Sequence, residues 1–194
     1  MLLKNLKTNF LGKNAIYYKQ IDSTQNKIWE LLKDELTPNG TLVIADIQTN
    51  GIGTHGRLWY TDEENNIAFS FLIKMDCNIK KIEGITIKIA QIIVDLFKNL
   101  YKIELQIKAP NDIVYNGKKL GGILTQTKVV KENVKCLIVG IGINTEKQNF
   151  VKEIKDIATS IKKEFGIYVD TKEFIAEFCN QFEKEILEIR YCIE

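Results

Sequence analysis

A glycine-rich segment followed by an arginine is the first feature of this sequence that could bind an anion. Residues Gly51 to Gly56 read Gly-Ile-Gly-Thr-His-Gly, and Arg57 follows them. Closely spaced glycines let backbone N–H groups approach a phosphate, and the planar guanidinium of Arg57 suits a phosphate or a carboxylate. The alternative is a mobile surface loop that carries one arginine.

The same six residues satisfy the G-x-G-x-x-G pattern of dinucleotide-binding proteins, and they follow a predicted strand. In that class of protein the glycines open directly into a helix, whose N-terminus holds the pyrophosphate. Here a polar, turn-like run at residues 61–66 follows instead, and another strand is predicted after it. The context therefore argues against a dinucleotide-binding protein.

A second candidate is the lysine of the segment Lys108-Ala109-Pro110-Asn111-Asp112. Pro110 fixes its own φ and blocks a helix, so we expect Lys108 to be extended at the end of a strand. From there it could direct one compact positive charge into a cleft. The alternative is an ordinary Pro-Asn-Asp turn with a solvated Lys108.

Composition excludes several classes of protein. The 194 residues suffice for one domain, and 27 basic against 25 acidic residues give no support for a DNA-binding arm or a polybasic membrane patch. No stretch reaches the ~18 apolar residues of a membrane span, and the N-terminus lacks the apolar region of a signal peptide. We therefore expect a cytoplasmic protein with reduced cysteines. One histidine, His55, and four widely spaced cysteines argue against a catalytic triad or a zinc site.

Hydrophobic patterning predicts an α+β fold, with a strand-rich centre flanked by helices. Strands are predicted at residues 14–20, 41–46, 66–75, 104–108, 112–115, 119–127 and 135–144. Asn116-Gly117 is a typical hairpin turn. Helices are predicted from a cap at residues 22–24 to about Glu35, and at residues 79–100, 152–165 and 172–190.

Both candidate segments resemble motifs of the biotin–protein ligases. The glycine-rich segment is similar to their Gly-Arg-Gly-Arg-Arg-Gly-Arg-x-Trp loop, although Ile52, Thr54 and His55 stand where that family has arginines. Lys108 to Asp112 resembles their Lys-Trp-Pro-Asn-Asp, with Ala109 in place of the tryptophan.

Further matches occur in the same order along about two thirds of the chain. Residues 119–124 resemble Lys-Leu-x-Gly-Ile-Leu, and residues 139–144 resemble Gly-x-Gly-x-Asn. Upstream, residues 23–25 resemble Ser-Thr-Asn, and Gln48 and Asn66 each match a single polar residue of the family. The order and spacing of these segments carry the resemblance more than any one of them.

The resemblance implies a fold and an activity. It implies a mixed, mostly antiparallel central sheet related to class II aminoacyl-tRNA synthetases and flanked by helices that pack on one face. We expect residues 1–194 to form a single catalytic domain, without the DNA-binding domain or the small C-terminal β-barrel of the family. The implied enzyme forms biotinyl-adenylate from biotin and ATP with Mg²⁺, and transfers biotin to a lysine of a biotin carboxyl-carrier protein domain. A homodimer is left open.

The resemblance also implies roles for individual residues. The catalytic residues would be Lys108, Arg57 and Asp112. The biotin-binding residues would be Ser23, Thr24, Gln25, Gln48, Gly51, Gly53, Lys108, Gly122 and Leu124. The ATP-binding residues would be Gly56, Arg57, Trp59, Asn66, Lys108, Asn111 and Asn144. No protein ligands for a metal are implied.

Several alternatives stay open at this point. Ser23 and Thr24 could simply cap a helix, and Trp59 could be a core residue. A lipoate or octanoate ligase or transferase shares the superfamily fold, but typically carries an Arg-Arg-x-Ser-Gly-Gly-Gly loop. A non-catalytic biotin- or adenylate-binding module is the other alternative. A DNA-binding repressor is disfavoured because no DNA-binding segment is visible.

Overall fold

The computed structural model describes residues 3–61, 66–147 and 149–190, and the side chains through 187. Over these residues the strands form one eight-stranded sheet in the order β1-β2-β4-β8-β7-β6-β5, with β3 paired to β2. Only β1 and β2 are parallel neighbours. The strands are β1 (Ala15–Ile21), β2 (Leu42–Ile52), β3 (Leu58–Thr61), β4 (Ile67–Asn78), β5 (Gln106–Lys108), β6 (Asp112–Tyr115), β7 (Lys118–Val130) and β8 (Asn133–Ile143).

Helices cover both faces of the sheet. The helices are α1 (Thr24–Leu31), α2 (Ile85–Tyr101), α3 (Ile161–Phe165) and α4 (Thr171–Arg190). Helices α2 and α4 pack on one face, where Phe69 and Phe71 of β4 meet Phe178 and Phe182 of α4 with ring centroids 5.0–5.8 Å apart. Helix α1 packs on the opposite face through Ile28, so the expectation that all helices share one face is wrong.

The two faces follow from side-chain alternation along the central strands. In β4 the odd-numbered residues from Ile67 to Ile73 enter the main core, while Leu72 contributes to the small core under α1. Ser70, on the α1 face, is polar and fully buried. The α1 face therefore has little apolar filling near Ser70, and this is where a polar cleft opens.

Several element boundaries differ from the prediction. The helix predicted from residue 79 begins at Ile85, because Gly84 has a φ of 76° and separates it from a short 3₁₀ turn at Ile79–Ile82. The first helix ends at Leu31 rather than near Glu35. Strand β3 was not predicted, and β2 extends through Gly51 and Ile52, which the sequence placed in a loop.

The helix predicted at residues 152–165 is wrong over most of its length. Residues 152–157 form successive turns, and only Ile161–Phe165 is helical. The N–H of Lys119 donates to the carbonyl of Ile157 at 2.7 Å, and the N–H of Thr159 donates to the carbonyl of Lys119 at 2.8 Å. This pairing holds the segment against β7. Residues 152–157 therefore cannot form the helix that their apolar spacing predicts.

Other predictions concern turns, thiols and membrane spans. Asn116 and Gly117 both have positive φ, as the predicted hairpin turn requires. Cys77, Cys136 and Cys179 are buried free thiols, whereas Cys192 and most of the predicted turn at 61–66 lie outside the described residues. Among the described helices, none is long and apolar enough to cross a membrane.

Candidate active site

A polar cleft opens between the N-terminus of α1 and the middle of the sheet. Its volume is about 420 Å³, including the open mouth. The cleft has walls from α1, from the segment after β2 and from β3, and a floor from β4, β7 and β8. We call it the first cleft, and its lining residues are Ser23, Thr24, Gln25, Gln48, Ile52, Gly53, Thr54, Trp59, Ser70, Asn111, Lys119, Gly122, Ile123, Leu124, Gly140, Ile141 and Gly142.

Thr24 is the centre of a hydrogen-bond network in this cleft. Its backbone N–H and its Oγ1 both donate to Oε1 of Gln48, at 2.8 and 3.0 Å, and its Oγ1 lies 2.8 Å from Oγ of Ser70. Nε2 of Gln48 donates to Oγ1 of Thr61 at 3.3 Å. Ser23 caps α1 by accepting a hydrogen bond from the N–H of Asn26 at 3.4 Å. The helix cap and the cleft wall are thus the same residues.

Glycines form the floor of the first cleft because other side chains occupy the space above them. Gly122 and Gly142 are paired across β7 and β8. A Cβ on Gly142 would lie 2.4 Å from Cε2 of Trp59, and one on Gly122 would lie 3.4 Å from Cζ3 of the same ring. The indole of Trp59 therefore lies directly on the glycine floor, and it is a cleft residue rather than a core residue.

A second, more apolar cleft adjoins the first and measures about 700 Å³, again with its mouth. Gly53, Thr54, Trp59 and Lys119 line both clefts. The far wall of the second cleft comes from the turns after β8. Its other lining residues are Arg57, Leu58, Tyr60, Asn144, Lys147, Phe150, Ile154, Ile157 and Ala158.

Lys119 stands where the two clefts meet. Its Nζ lies 2.7 Å from Oδ1 of Asp112 and 5.7 Å from the centre of the Trp59 ring. Its side chain is 34% exposed and that of Asp112 is 25% exposed, so this is a partly solvated ion pair. The backbone of Lys119 is fixed on both sides by the segment at residues 157–159. The pair places one positive charge at the junction and a carboxylate beside it.

The glycine-rich segment forms a closed turn between the clefts. The N–H of Gly53 donates to the carbonyl of Arg57 at 2.7 Å, and His55 and Gly56 have φ values of 58° and 72°. Gly53 and Thr54 line both clefts, and Arg57 lines the second. The N–H of Gly53 is paired within the turn, so it can meet an anion only if the turn opens.

Asn66 and Asn144 support the second cleft in different ways. Asn144 lines the cleft and donates from Nδ2 to the carbonyl of Thr159 at 3.1 Å. Asn66 is absent from the lining, and its Oδ1 accepts from the N–H groups of Thr145 and Glu146 at 2.9 and 3.2 Å. Asn66 therefore holds the chain as it leaves β8.

The structure brings most of the predicted site residues together. Lys108 is the main exception, because it is exposed on the β5–β6 hairpin and lines neither cleft. Gly51, Gly56, Asn66 and Asp112 also lie outside both linings, although Asp112 contacts Lys119, which lines both. The predicted residues that line at least one cleft are Ser23, Thr24, Gln25, Gln48, Gly53, Arg57, Trp59, Asn111, Gly122, Leu124 and Asn144.

Sequence reasoning missed two parts of the site. Lys119 was noted only as part of the segment that resembles Lys-Leu-x-Gly-Ile-Leu, although its place three residues before Gly122 was a signal for the cleft. The wall at Phe150 and Ile154 was missed because Ile154 was placed in the helix predicted at residues 152–165 and no element was predicted for Phe150. Among the described residues, no group of three or more His, Cys, Asp or Glu side chains could hold a metal ion.

Comparison with known proteins agrees with this geometry. Residues 17–144 match the model of the Biotin/lipoate A/B protein ligase family. The bifunctional ligase/repressor BirA of Bacillus subtilis (strain 168) is 38% identical over 181 residues, which cover 92% of this chain and 55% of that protein. Biotin protein ligase from Aquifex aeolicus, in complex with biotin and ATP, is 32% identical, with a TM-score of 0.73 over 93% of this chain and 72% of that chain. The chain spans about half the length of the curated Bacillus relative.

Proposed function

Because the chain belongs to the biotin/lipoate A/B protein ligase family, we propose that it activates biotin with ATP and transfers the biotinyl group to a carrier protein. The observation that carries this proposal is the position of Lys119 at the junction of a polar and an apolar cleft. A reaction between two anionic substrates needs such a junction. The two clefts hold the reacting atoms close together, and a cation between them offsets the repulsion between their negative charges.

The first cleft suits the bicyclic ring of biotin. A ureido group carries one acceptor and two N–H donors, and the cleft offers both kinds of partner in Thr24, Gln48 and Ser70. Leu124 and the indole of Trp59, which lies on the glycine floor, offer apolar contact to the ring. An octanoyl chain has no hydrogen-bond donor or acceptor to offer these polar groups, which favours a ureido ring over it.

The second cleft suits a nucleotide. Trp59, Phe150 and Ile154 form an apolar lining for a base, and Arg57 and Lys147 add positive charge. Lys147 is fully buried, and its Nζ lies 5.7 Å from the centre of the Phe150 ring. The phosphates would then lie toward Gly53 and Lys119, beside the first cleft.

In the first step, a carboxylate oxygen of biotin attacks the α-phosphorus of ATP and pyrophosphate leaves. Charge accumulates on the oxygens between the two clefts, where Lys119 is the nearest cation on the sheet. We therefore assign to Lys119 the role that sequence reasoning gave to Lys108. Arg57, which lines only the second cleft, would bind phosphate oxygens.

In the second step, a lysine amine of the carrier attacks the carbonyl carbon of biotinyl-adenylate, AMP leaves and the nitrogen loses a proton. Asp112 is the carboxylate beside Lys119, and it would orient the attacking amine or accept this proton. The same contact positions Lys119, so Asp112 would influence both steps.

The remaining parts of the proposal concern the metal, the domain and the partner. With no metal-binding cluster among the described residues, Mg²⁺ would arrive on the phosphates of ATP as part of the substrate. We propose that residues 1–194 act as one catalytic domain in the cytoplasm, with a biotin carboxyl-carrier protein domain as the partner. The absence of DNA binding stays a prediction. A homodimer stays possible.

The experiment combines pyrophosphate exchange with mass spectrometry of a carrier domain. The protein is incubated with ATP, Mg²⁺ and biotin, with and without the carrier, and lipoate replaces biotin in a parallel series. We expect exchange with biotin alone and a biotinyl adduct at one carrier lysine. Exchange with lipoate but not biotin would favour a lipoate ligase. Binding of biotin without exchange or transfer would identify a non-catalytic module.

A further inference from the structure

Three side chains form a short hydrogen-bond chain behind the first cleft. Oε1 of Gln126, on β7, accepts a hydrogen bond from Nε1 of Trp29 at 2.7 Å and another from Nε2 of Gln25 at 2.9 Å. Gln25 and Trp29 both belong to α1, one turn apart. Gln126 and Trp29 do not line the cleft, whereas Gln25 does.

The chemistry of the indole fixes the direction of this chain. An indole N–H can only donate, so the atom of Gln126 that faces Trp29 must be its oxygen. The same oxygen faces Gln25, so Gln25 must present its NH₂ group to it. A flipped amide at Gln126 would place its NH₂ group against the indole N–H, and a flipped amide at Gln25 would place two oxygens against each other. The orientation of both amides is therefore fixed.

The other end of the Gln25 amide consequently points away from Gln126. Its Oε1 is buried and has no hydrogen-bond partner among the described residues, and the residue is only 3% exposed. A Cβ on Gly140 would lie 2.6 Å from this oxygen, so Gly140 permits its close approach to the cleft floor. A buried acceptor without a donor is unfavourable until a ligand supplies one.

We propose that Trp29 and Gln126 are positioning residues, which orient the amide of Gln25 so that its Oε1 accepts a hydrogen bond from a ring N–H of the ligand. This inference rests on the proposed function, and it identifies a determinant of specificity. A ureido ring has N–H donors to offer, whereas a dithiolane ring or an alkyl chain has none. The chain from Trp29 to Gln25 therefore selects biotin over lipoate or octanoate.

The test measures ligand affinity by isothermal titration calorimetry with the full chain. Gln126→Met keeps the size of the side chain but removes the acceptor, and the amide of Gln25 becomes free to turn. We expect the Kd for biotin to rise about tenfold, as for one buried hydrogen bond, and the Kd for desthiobiotin to rise equally. Gln126→Glu retains an acceptor for both donors and should restore most of the affinity. Gln91→Met, at an exposed position on α2, is the matched control.

Two further measurements separate positioning from a structural role. Gln126→Met leaves the indole N–H of Trp29 without its acceptor, so its thermal midpoint should fall somewhat below that of Gln91→Met, but its Kd for ATP should equal the wild-type value. The Kd is also measured for biotin analogues that are methylated at one or the other ureido nitrogen. Methylation of the nitrogen that faces Gln25 should cost the wild type more affinity than it costs Gln126→Met, because that hydrogen bond is already lost in the variant.

The outcomes distinguish the two proposals. If the wild type binds biotin and Gln126→Met binds it equally well, the positioning role is wrong and the proposed function stands. If both ureido nitrogens tolerate methylation equally in wild type and variant, the acceptor role of Gln25 is wrong. If the wild type fails to bind biotin at all, the proposed function is wrong, and this inference falls with it.

Discussion

Two lysines compete for the central role in the first step, and a pair of substitutions separates them. Lys108 follows a strand and precedes a proline, which made it the choice from sequence. Lys119 lines both clefts, whereas Lys108 is exposed on a hairpin outside them. Lys119→Met removes the charge but keeps the length of the aliphatic chain, and Lys108→Met does the same at the competing position.

The magnitude follows from the position of Lys119. A unit charge about 4 Å from a developing oxyanion is worth roughly 4 kcal/mol at the effective dielectric of a protein surface. The side chain is 34% exposed, so solvent reduces this value, and we take about 3 kcal/mol. Loss of that interaction corresponds to roughly a hundredfold decrease in kcat/KM for adenylate formation. Loss of Lys108 should change the rate less than threefold.

The assay is biotin-dependent pyrophosphate exchange, which reports the first step alone. Lys88→Met, at an exposed position on α2, controls for the loss of one surface lysine. Unfolding midpoints of the three variants show whether any of them disturbs the fold. A large loss for Lys108→Met together with near-normal exchange for Lys119→Met would refute the assignment, and it would mean that the hairpin moves onto the site.

Three other predictions test the surroundings of the site, and a fourth concerns Glu183 of α4, which lines neither cleft. Asp112→Asn should slow both pyrophosphate exchange and transfer of preformed biotinyl-adenylate, and transfer at the wild-type rate would exclude a role in the second step. Thr54→Arg should slow release of the adenylate by about tenfold, since it adds a cation where the clefts meet; unchanged or faster release in a stopped-flow experiment would contradict this. Gly142→Ala should raise the Kd for ATP about tenfold by displacing Trp59, and an unchanged titration would show that the indole is not needed there. Burial raises the pKa of Glu183, but hydrogen bonds from the N–H groups of residues 9–11 outweigh it and the pKa is lowered. Its stabilising effect should thus be present at neutral pH and disappear as the pH falls below its ordinary value of 4.5, so urea unfolding of Glu183→Gln should differ from the wild type at pH 7 and converge with it in acid.

The family and the α+β fold are confirmed, and local signals explain why they were predictable. Strand and helix periodicity is a property of neighbouring residues, as the buried positions Ile85, Ile89 and Ile93 of α2 illustrate. Asn-Gly at a hairpin likewise needs no distant partner. The residues of α1 that line the first cleft were predicted only through the resemblance to the Ser-Thr-Asn motif, because Ser23 and Thr24 are equally typical of a simple helix cap.

The errors share a cause, which is pairing between distant segments. Ile154 and Ile157 have the spacing of a helix, but the backbone of residues 157–159 pairs with Lys119 instead. The same pairing builds the wall of the second cleft and fixes the backbone of Lys119. Strand β3 forms because Trp59 pairs with Gly51 of β2, and the residues around Trp59 have no strand pattern of their own that would predict it. Sequence patterns likewise did not indicate that Lys119, rather than Lys108, lines both clefts, because that position depends on contacts between distant segments.

The elements that carry the cationic side chains decide whether the positive charge of the two clefts is in place before a ligand binds. Among the described residues, the cationic side chains that line the two clefts are Arg57, Lys119 and Lys147. The family loop would add arginines where Ile52, Thr54 and His55 stand, but a loop side chain must lose conformational entropy each time it closes on a ligand. Lys119 is instead attached to a paired strand, so its charge is in place before substrates arrive. Under the proposed function, the absence of these arginines should mainly weaken retention of the anionic intermediate, whereas the charge that we assign to adenylate formation is the one that Lys119 holds on the sheet.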